Sequence, residues 1–292
     1  MTQTILMIAI SGLLTGSIYA LVSMGLSLQY GVARVLNIAH GEFIMLGALI
    51  VWSLVISLGI HPLLAVAISG PLLFGIGFLL YRTIFTSLKN RAPSPAAVEG
   101  NSLLAAFGLY FIIMNVALLN WGSLSRSYPF LESVVWLGGT AFRLNRLVAL
   151  AIAIVAGVAF FLFLTRSRPG KAIRAAAQDP ATAGLMGVNI NWVLPLCFGL
   201  GAFLAGLAGF LLSMSTTVNA LMGLRYTIIA LIVVVLGGLG SIPGSFIGGF
   251  ILGIVGSIVN YFEPTLVLPA FYALFMLLIL IRPAGIFGQS KQ

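Results

Sequence analysis

The stretch RSRPGKAIRAAAQDPATAGLMGVNIN, Arg166 to Asn191, is the longest polar interruption in an otherwise apolar chain. One long apolar run ends just before it, and another starts just after it at Trp192. It therefore reads as a loop held between two membrane-type segments. Its internal order is legible locally. Pro169-Gly170 breaks the incoming helix, because proline removes a backbone donor and glycine favours turns. Lys171 to Gln178 is alanine-rich and helix-favouring. Asp179-Pro180 is a fresh start: the carboxylate can accept from free N–H groups, and proline is tolerated at the first helical position. Ala181 to Met186 then forms a short helix, with Gly187 as its C-terminal stop. The expectation is two short helices at the membrane surface. An ordinary basic loop would carry the same Arg166, Arg168, Lys171 and Arg174. It would not need two capped helices, and these fit a docking element on which a soluble partner pushes.

Composition sets the class. Of 292 residues, 61% are hydrophobic and only 7% charged. Soluble domains are about 25% charged, so the chain is expected to be an all-α polytopic membrane protein with a single transmembrane domain over residues 1–292. The 34 glycines suit helices packed at close approach. The net charge of +9 is spread over short loops and reads as topology, not nucleic-acid binding. The one cysteine, Cys197, leaves no disulfide within the chain. The opening MTQTILMIAI lacks a basic n-region and a small-residue cleavage site, so it reads as the start of a spanning helix.

Apolar segments fall near Ile5–Leu28, Phe43–Leu58, Leu63–Leu80, Leu103–Leu119, Leu147–Leu164, Trp192–Met214, Tyr226–Leu239, Ser245–Tyr261 and Leu266–Ile281. Tyr226–Leu239 and Ser245–Tyr261 are short and broken by glycine, so either suits a re-entrant helix. Eight or nine spanning or re-entrant helices are expected. With the Arg166–Asn191 loop inside, the inside also receives Arg34, Arg82, Lys89, Arg91, Arg282 and Lys291, against Arg126, Arg143, Arg146 and Arg225 outside. That bias puts the N-terminus outside and the C-terminus in the cytoplasm. Residues 121–146 become the one sizeable external loop, with Trp and Tyr suited to an interface and a weak strand-like alternation.

The first segment carries Ser11, Gly12 and Gly16 on one face, which reads as a helix contact. Asn37, His40 and Glu42 sit where one apolar run gives way to the next, at the cytoplasmic boundary, with Asn37 and Glu42 able to cap the following helix. Ionisable groups near a membrane face a cavity or the bundle interior, so Asn37–Glu42 reads as a broken-helix element near a transport path. A metal site is disfavoured, since a catalytic zinc usually takes three protein ligands. Gly237–Gly249, GGLGSIPGSFIGG, is a tight turn joining two closely packed segments. Gly41-x-Phe43-Ile44 and Gly244-x-Phe246-Ile247 share a short pattern, a faint sign of two related halves. His61-Pro62 reads as an external turn, and Glu263-Pro264 as a helix end. No Gly-x4-Gly-Lys-Ser/Thr occurs, so ATP is not bound by that route. No catalytic triad is available and no cofactor is expected.

These motifs together resemble the permease subunits of branched-chain amino acid ABC importers, the LivH type. The resemblance rests on Gly16-Ser-Ile-Tyr19-Ala20-Leu21, on Asn37-Ile-Ala39-His40-Gly41-Glu42, on Ser167-Arg168-Pro169-Gly170-Lys171-Ala172 with Arg174-Ala175, Asp179, Ala183 and Gly187, and on Gly237-Gly238-Leu239-Gly240-Ser241-Ile242-Pro243-Gly244. It covers almost the whole chain. KNRAPSPAAVEGN at 89–101 departs from the Tyr-Arg-Pro-type run of such relatives. The resemblance implies a bacterial cytoplasmic-membrane subunit paired with a second, similar permease, two cytoplasmic ATPase subunits and a soluble binding protein. It implies coupling to the ATPase through Gly170, Lys171, Arg174, Ala175, Asp179, Pro180, Ala183 and Gly187. Asn37, His40, Gly41, Glu42, Gly240, Ser241 and Gly244 would belong to the translocation path or its helix breaks. Urea, short amides or other small carboxylates are alternative cargoes, and an ion-coupled carrier or channel is the alternative class.

Overall fold

The structure, a computed structural model, describes residues 2–282 and 284–287. Among these, eight helices are long and apolar enough to cross a membrane. They are α1 (Thr2–Ala33), α2 (His40–Leu58), α3 (Pro62–Leu80), α5 (Pro95–Trp121), α6 (Leu144–Arg166), α9 (Ile190–Ser215), α11 (Ile242–Phe262) and α12 (Val267–Ile281), the last preceded by a 3-10 turn at Pro264–Leu266. A π-helical turn at Tyr81–Phe85 carries α3 on into α4 (Thr86–Arg91). The remaining helices are α7 (Arg168–Gln178), α8 (Pro180–Leu185) and α10 (Gly223–Gly237). At 15 residues α10 is shorter than the roughly 20 a span needs. Of the two segments whose span was open, α11 is long enough to cross and α10 is the short one.

The core is built on α9. It is buried along almost its whole length, and α1, α2 and α3 pack around it. The Tyr81 and Phe85 rings of the π-helical turn close against Phe198 of α9. The small-residue face of α1 meets α11, as the sequence suggested. A Cβ on Gly12 would lie 2.8 Å from the Ile254 Cα, and one on Gly16 equally close to the Phe250 Cα. Backbones that close need glycine, which replaces hydrophobic drive by dispersion contact inside a lipid phase.

Long-range contacts sort the loops into two ends. Residues 121–146 fold into a hairpin of β1 (Val134–Leu137) and β2 (Thr140–Arg143), with Val134 opposite Arg143. Gly138 and Gly139 turn it with φ of +57° and +81°, the left-handed pair a two-residue hairpin loop requires. Arg126 bridges to Val218, so the stretch leading into α10 lies at this hairpin end. At the opposite end α7 packs against α1, α6 and α9, Gly31 touches Gly240, and the Ile286 N–H donates to the Leu236 carbonyl at 2.9 Å. Arg34 and the Arg166–Arg174 cluster therefore share this basic end with the Gly237–Gly244 turn. Lys291, assigned to the same side, lies outside the described residues.

One helix start differs from expectation. α5 begins at Pro95, eight positions before Leu103, because the Ser94 hydroxyl accepts from the Ala97 N–H at 3.2 Å and draws the polar AVEGN into the helix. His61 and Glu263 cap the turns they were expected to mark.

Candidate functional site

The Arg166–Asn191 stretch is two helices meeting at a knuckle. α6 ends at Arg166, and the Ser167 hydroxyl accepts from the Gly170 N–H at 3.0 Å to start α7. The break thus falls at Ser167, and Pro169-Gly170 lies in the first turn of α7, where a missing N–H costs nothing. Gly170, Ile173 and Ala176 make the buried face of α7. A Cβ on Gly170 would stand 2.6 Å from the Leu164 Cα, so the helix sits directly on the end of α6. Lys171 and Arg174 point outward, Ala175 is half-buried, and the Arg174 guanidinium donates to the Thr165 carbonyl at 3.3 Å.

Asp179 joins the two helices. Its carboxylate accepts from the Ala181 N–H at 2.9 Å and from the Thr182 hydroxyl. The Thr182 hydroxyl first, then the Ala181 N–H, holds this exposed carboxyl below the usual carboxylate range. Pro180 opens α8, Ala183 turns inward, and Gly187 ends the motif at φ +86°, its N–H donating to the Gly184 carbonyl at 3.0 Å. The Val188 N–H donates to the Ala183 carbonyl, completing the stop. The result is a tip on which Leu185 is 89% exposed and Met186 81% exposed. Sequence reasoning named the residues that shape the knuckle and missed the two that it presents. An apolar pair just before the stop glycine was the available signal.

The Asn37–Glu42 element is the second candidate, and it lies inside the bundle rather than at its boundary. The His40 Nε2–H donates to the Val22 carbonyl at 2.9 Å. Val22 is eleven residues before the end of α1, about 16 Å back along the helix. The chain at 34–39 therefore folds back beside α1 before α2 begins. Arg34, at φ +55°, makes the turn. Neither Asn37 nor Glu42 caps α2: the N-cap is Ala39, without a side-chain bond. Asn37 instead accepts from the Ala39 N–H and donates to Gln29 Oε1, both at 3.1 Å, and Gln29 donates to the Phe198 carbonyl. Thr227 of α10 completes the set. Its hydroxyl donates to the Ile38 carbonyl at 2.9 Å and accepts from the Gly41 N–H at 2.8 Å. Glu42 is 1% exposed and lies against Gly223, the first residue of α10. Among the described residues, Glu42 Oε2 and His40 Nδ1 have no hydrogen-bond partner. The first turns of α2 and α10 thus meet around a buried carboxyl, at the favourable end of both helix dipoles.

Gly240, Ser241 and Gly244 are not part of that centre. Gly240 packs on Gly31, six residues and about 9 Å along α1 from Gly25, which touches His40. The Ser241 hydroxyl caps α11 by accepting from the Gly244 N–H at 3.2 Å. The two shared patterns do have one structural feature in common. Gly41 and Gly244 each open a helix against α10, one at its first residue, Gly223, and one at its last, Gly237.

Residues 8–282 match the family described as branched-chain amino acid transport system / permease component. The chain is 30% identical to the high-affinity branched-chain amino acid transport system permease protein LivH of Salmonella typhimurium, over 96% of this chain and 94% of that one. It is 30% identical to BraD of Pseudomonas aeruginosa, described in the same words, over 97% and 95%. A chain of PsaBC from Streptococcus pneumoniae, solved in complex with Fab, shares the fold with a TM-score of 0.51 at 15% identity, over 94% of this chain and 91% of that one. The motifs that carried the resemblance, the eight span-length helices and this near-complete match agree, and the chain belongs to the family of branched-chain amino acid transport permeases, multi-pass membrane proteins.

Proposed function

We propose that this chain forms half of the translocation pathway of an ATP-driven importer for branched-chain amino acids in a bacterial cytoplasmic membrane. A second permease subunit would complete the pathway, two cytoplasmic ATPase subunits would supply energy, and a soluble binding protein would deliver cargo. The names of the Salmonella and Pseudomonas relatives support the cargo class. The Lys and Arg bias supports placing the knuckle in the cytoplasm and both hairpin and N-terminus outside.

The single observation behind the energy route is the exposed Leu185–Met186 tip, on a knuckle that also exposes Lys171 and Arg174 and is seated on the bundle through Gly170. An apolar anchor with a polar rim is what a protein partner grips. ATP binding draws the ATPases together and displaces α8. The capped joint at Asp179 passes that displacement to α7. From α7 it enters α1, α6 and α9, and through α1 and α9 it reaches the buried break at Asn37–Glu42. Access then alternates between the two ends.

The test is the double substitution Leu185→Asp with Met186→Asp, co-expressed with the partner subunits. Leucine uptake should fall at least tenfold, while the thermal unfolding of the permease stays unchanged, because neither side chain packs against the fold. Uptake at the wild-type rate would sink the energy route. Urea and acetamide in the same uptake assay decide the cargo, since preference for either over leucine would replace it.

A further inference from the structure

A polar cavity of about 280 Å³ opens at the hairpin end, between the segment after α5, the start of α6 and the end of α9. A water occupies roughly 30 Å³ of liquid, so the space suits a solute several waters in size. Its floor is built. The Tyr128 hydroxyl and the Ser213 hydroxyl lie 3.0 Å apart, both residues buried. Burial pushes the Tyr128 hydroxyl up, so it stays neutral. Asn145 is 2% exposed, and its Nδ2 donates to the Met214 carbonyl at 2.7 Å. A carbonyl can only accept, so the amide nitrogen is the end turned to Met214. Asn145 lines the cavity, while its Oδ1 is buried, without accessible surface and without a partner among the described residues. Buried acceptors are almost always paired. At the exposed rim stand one acid, Glu132, and one base, Arg143.

We propose that this cavity binds a zwitterionic amino acid, with its carboxylate on Arg143 and its ammonium on Glu132. An ammonium offers three donors, which suits a carboxylate acceptor. A guanidinium offers a planar fork to a carboxylate. A neutral solute would leave both rim charges unused, and a simple anion or cation would leave one. The assignment rests on the importer reading, which places the hairpin end outside. There the cavity is a receiving site for cargo before it enters the bundle.

The experiment uses the full chain in lipid nanodiscs, titrated calorimetrically with L-leucine, leucine amide and 4-methyl-2-oxopentanoate. The amide lacks the carboxylate, and the oxo acid lacks the ammonium. The expected result is saturable leucine binding, weaker for the other two. Arg143→Gln should weaken leucine and the oxo acid at least tenfold and leave leucine amide unchanged. Glu132→Gln should weaken leucine and the amide and leave the oxo acid unchanged. Both side chains are exposed, so the fold should tolerate both changes. No saturable leucine binding to the wild-type chain, or binding indifferent to both substitutions, overturns the site. If leucine fails to bind while uptake still depends on Leu185 and Met186, the site falls and the importer stands. If leucine binds here but uptake ignores the knuckle, the site stands and the energy route falls.

Discussion

The hydrogen bonds that cap the knuckle helices all close within five residues: Gly170 to Ser167, Ala181 to Asp179, Gly187 to Gly184, Val188 to Ala183. At the Asn37–Glu42 break, the bonds that fix it to its neighbours reach across the fold. Gln29 and Phe198 are 169 positions apart, Gly41 and Thr227 186. The first region is exposed and assembles itself from its own residues. The second is buried and exists only when three helices have arrived. Disturbing the knuckle should therefore change coupling and leave folding intact, and disturbing the break should change folding itself.

The sharpest contrast is between two glycines. A Cβ on Gly41 would overlap the Gly223 carbonyl oxygen, and one on Gly187 meets nothing within 4 Å. Gly41→Val should cost more than about 3 kcal/mol, the upper range for overpacking, and lower the yield of folded protein. Gly187→Ala should cost about 1–2 kcal/mol locally, for its left-handed backbone alone. Thermal unfolding in detergent compares the two, and equal melting temperatures would break the distinction.

A smaller effect is expected at Thr227. Thr227→Val keeps the volume and leaves the Gly41 N–H and Ile38 carbonyl unpaired, at about 1–3 kcal/mol. Hydrogen exchange should accelerate at residues 37–42 and leave the knuckle amides as they were. Acceleration spread evenly over both regions would mean that the break is not a separate unit.

The mildest test is acid. Asp179 has its carboxyl depressed by the Thr182 hydroxyl and the Ala181 N–H. A depressed carboxyl stabilises the folded form above its ordinary value and loses that contribution as pH falls through the lowered one. The α8 amides should stay protected at neutral and mildly acidic pH and fray only in stronger acid. Asp179→Asn should remove most of this dependence. Fraying with the same pH midpoint in that variant would show that Asp179 is not the titrating group.

The knuckle was legible because its determinants are local. Asp179-Pro180, the alanine run and Gly187 each act on their own neighbours, and the error over Pro169-Gly170 was a displacement of a few residues toward the Ser167 cap. The break was legible only as a place. Asn37, His40 and Glu42 stand out in an apolar sequence, yet nothing near them tells that the chain folds back about 16 Å beside α1. Thr227 carried no signal, being one hydroxyl in GLRYTIIALIVVVLG. Gly240, Ser241 and Gly244 belong to a separate helix start, at the far end of α10 against Gly237.

Composition and periodicity by themselves determined that this chain lives in a membrane, how many apolar segments it has, and where its charged loops fall, because transfer to lipid is summed residue by residue. Depth, partner and pairing were decided only by tertiary structure. A buried carboxyl such as Glu42 and an amide such as Asn145 take their surroundings from helices far away in the chain. Such surroundings depend on how glycine-lined backbones cross, and no window of sequence contains both sides of a crossing.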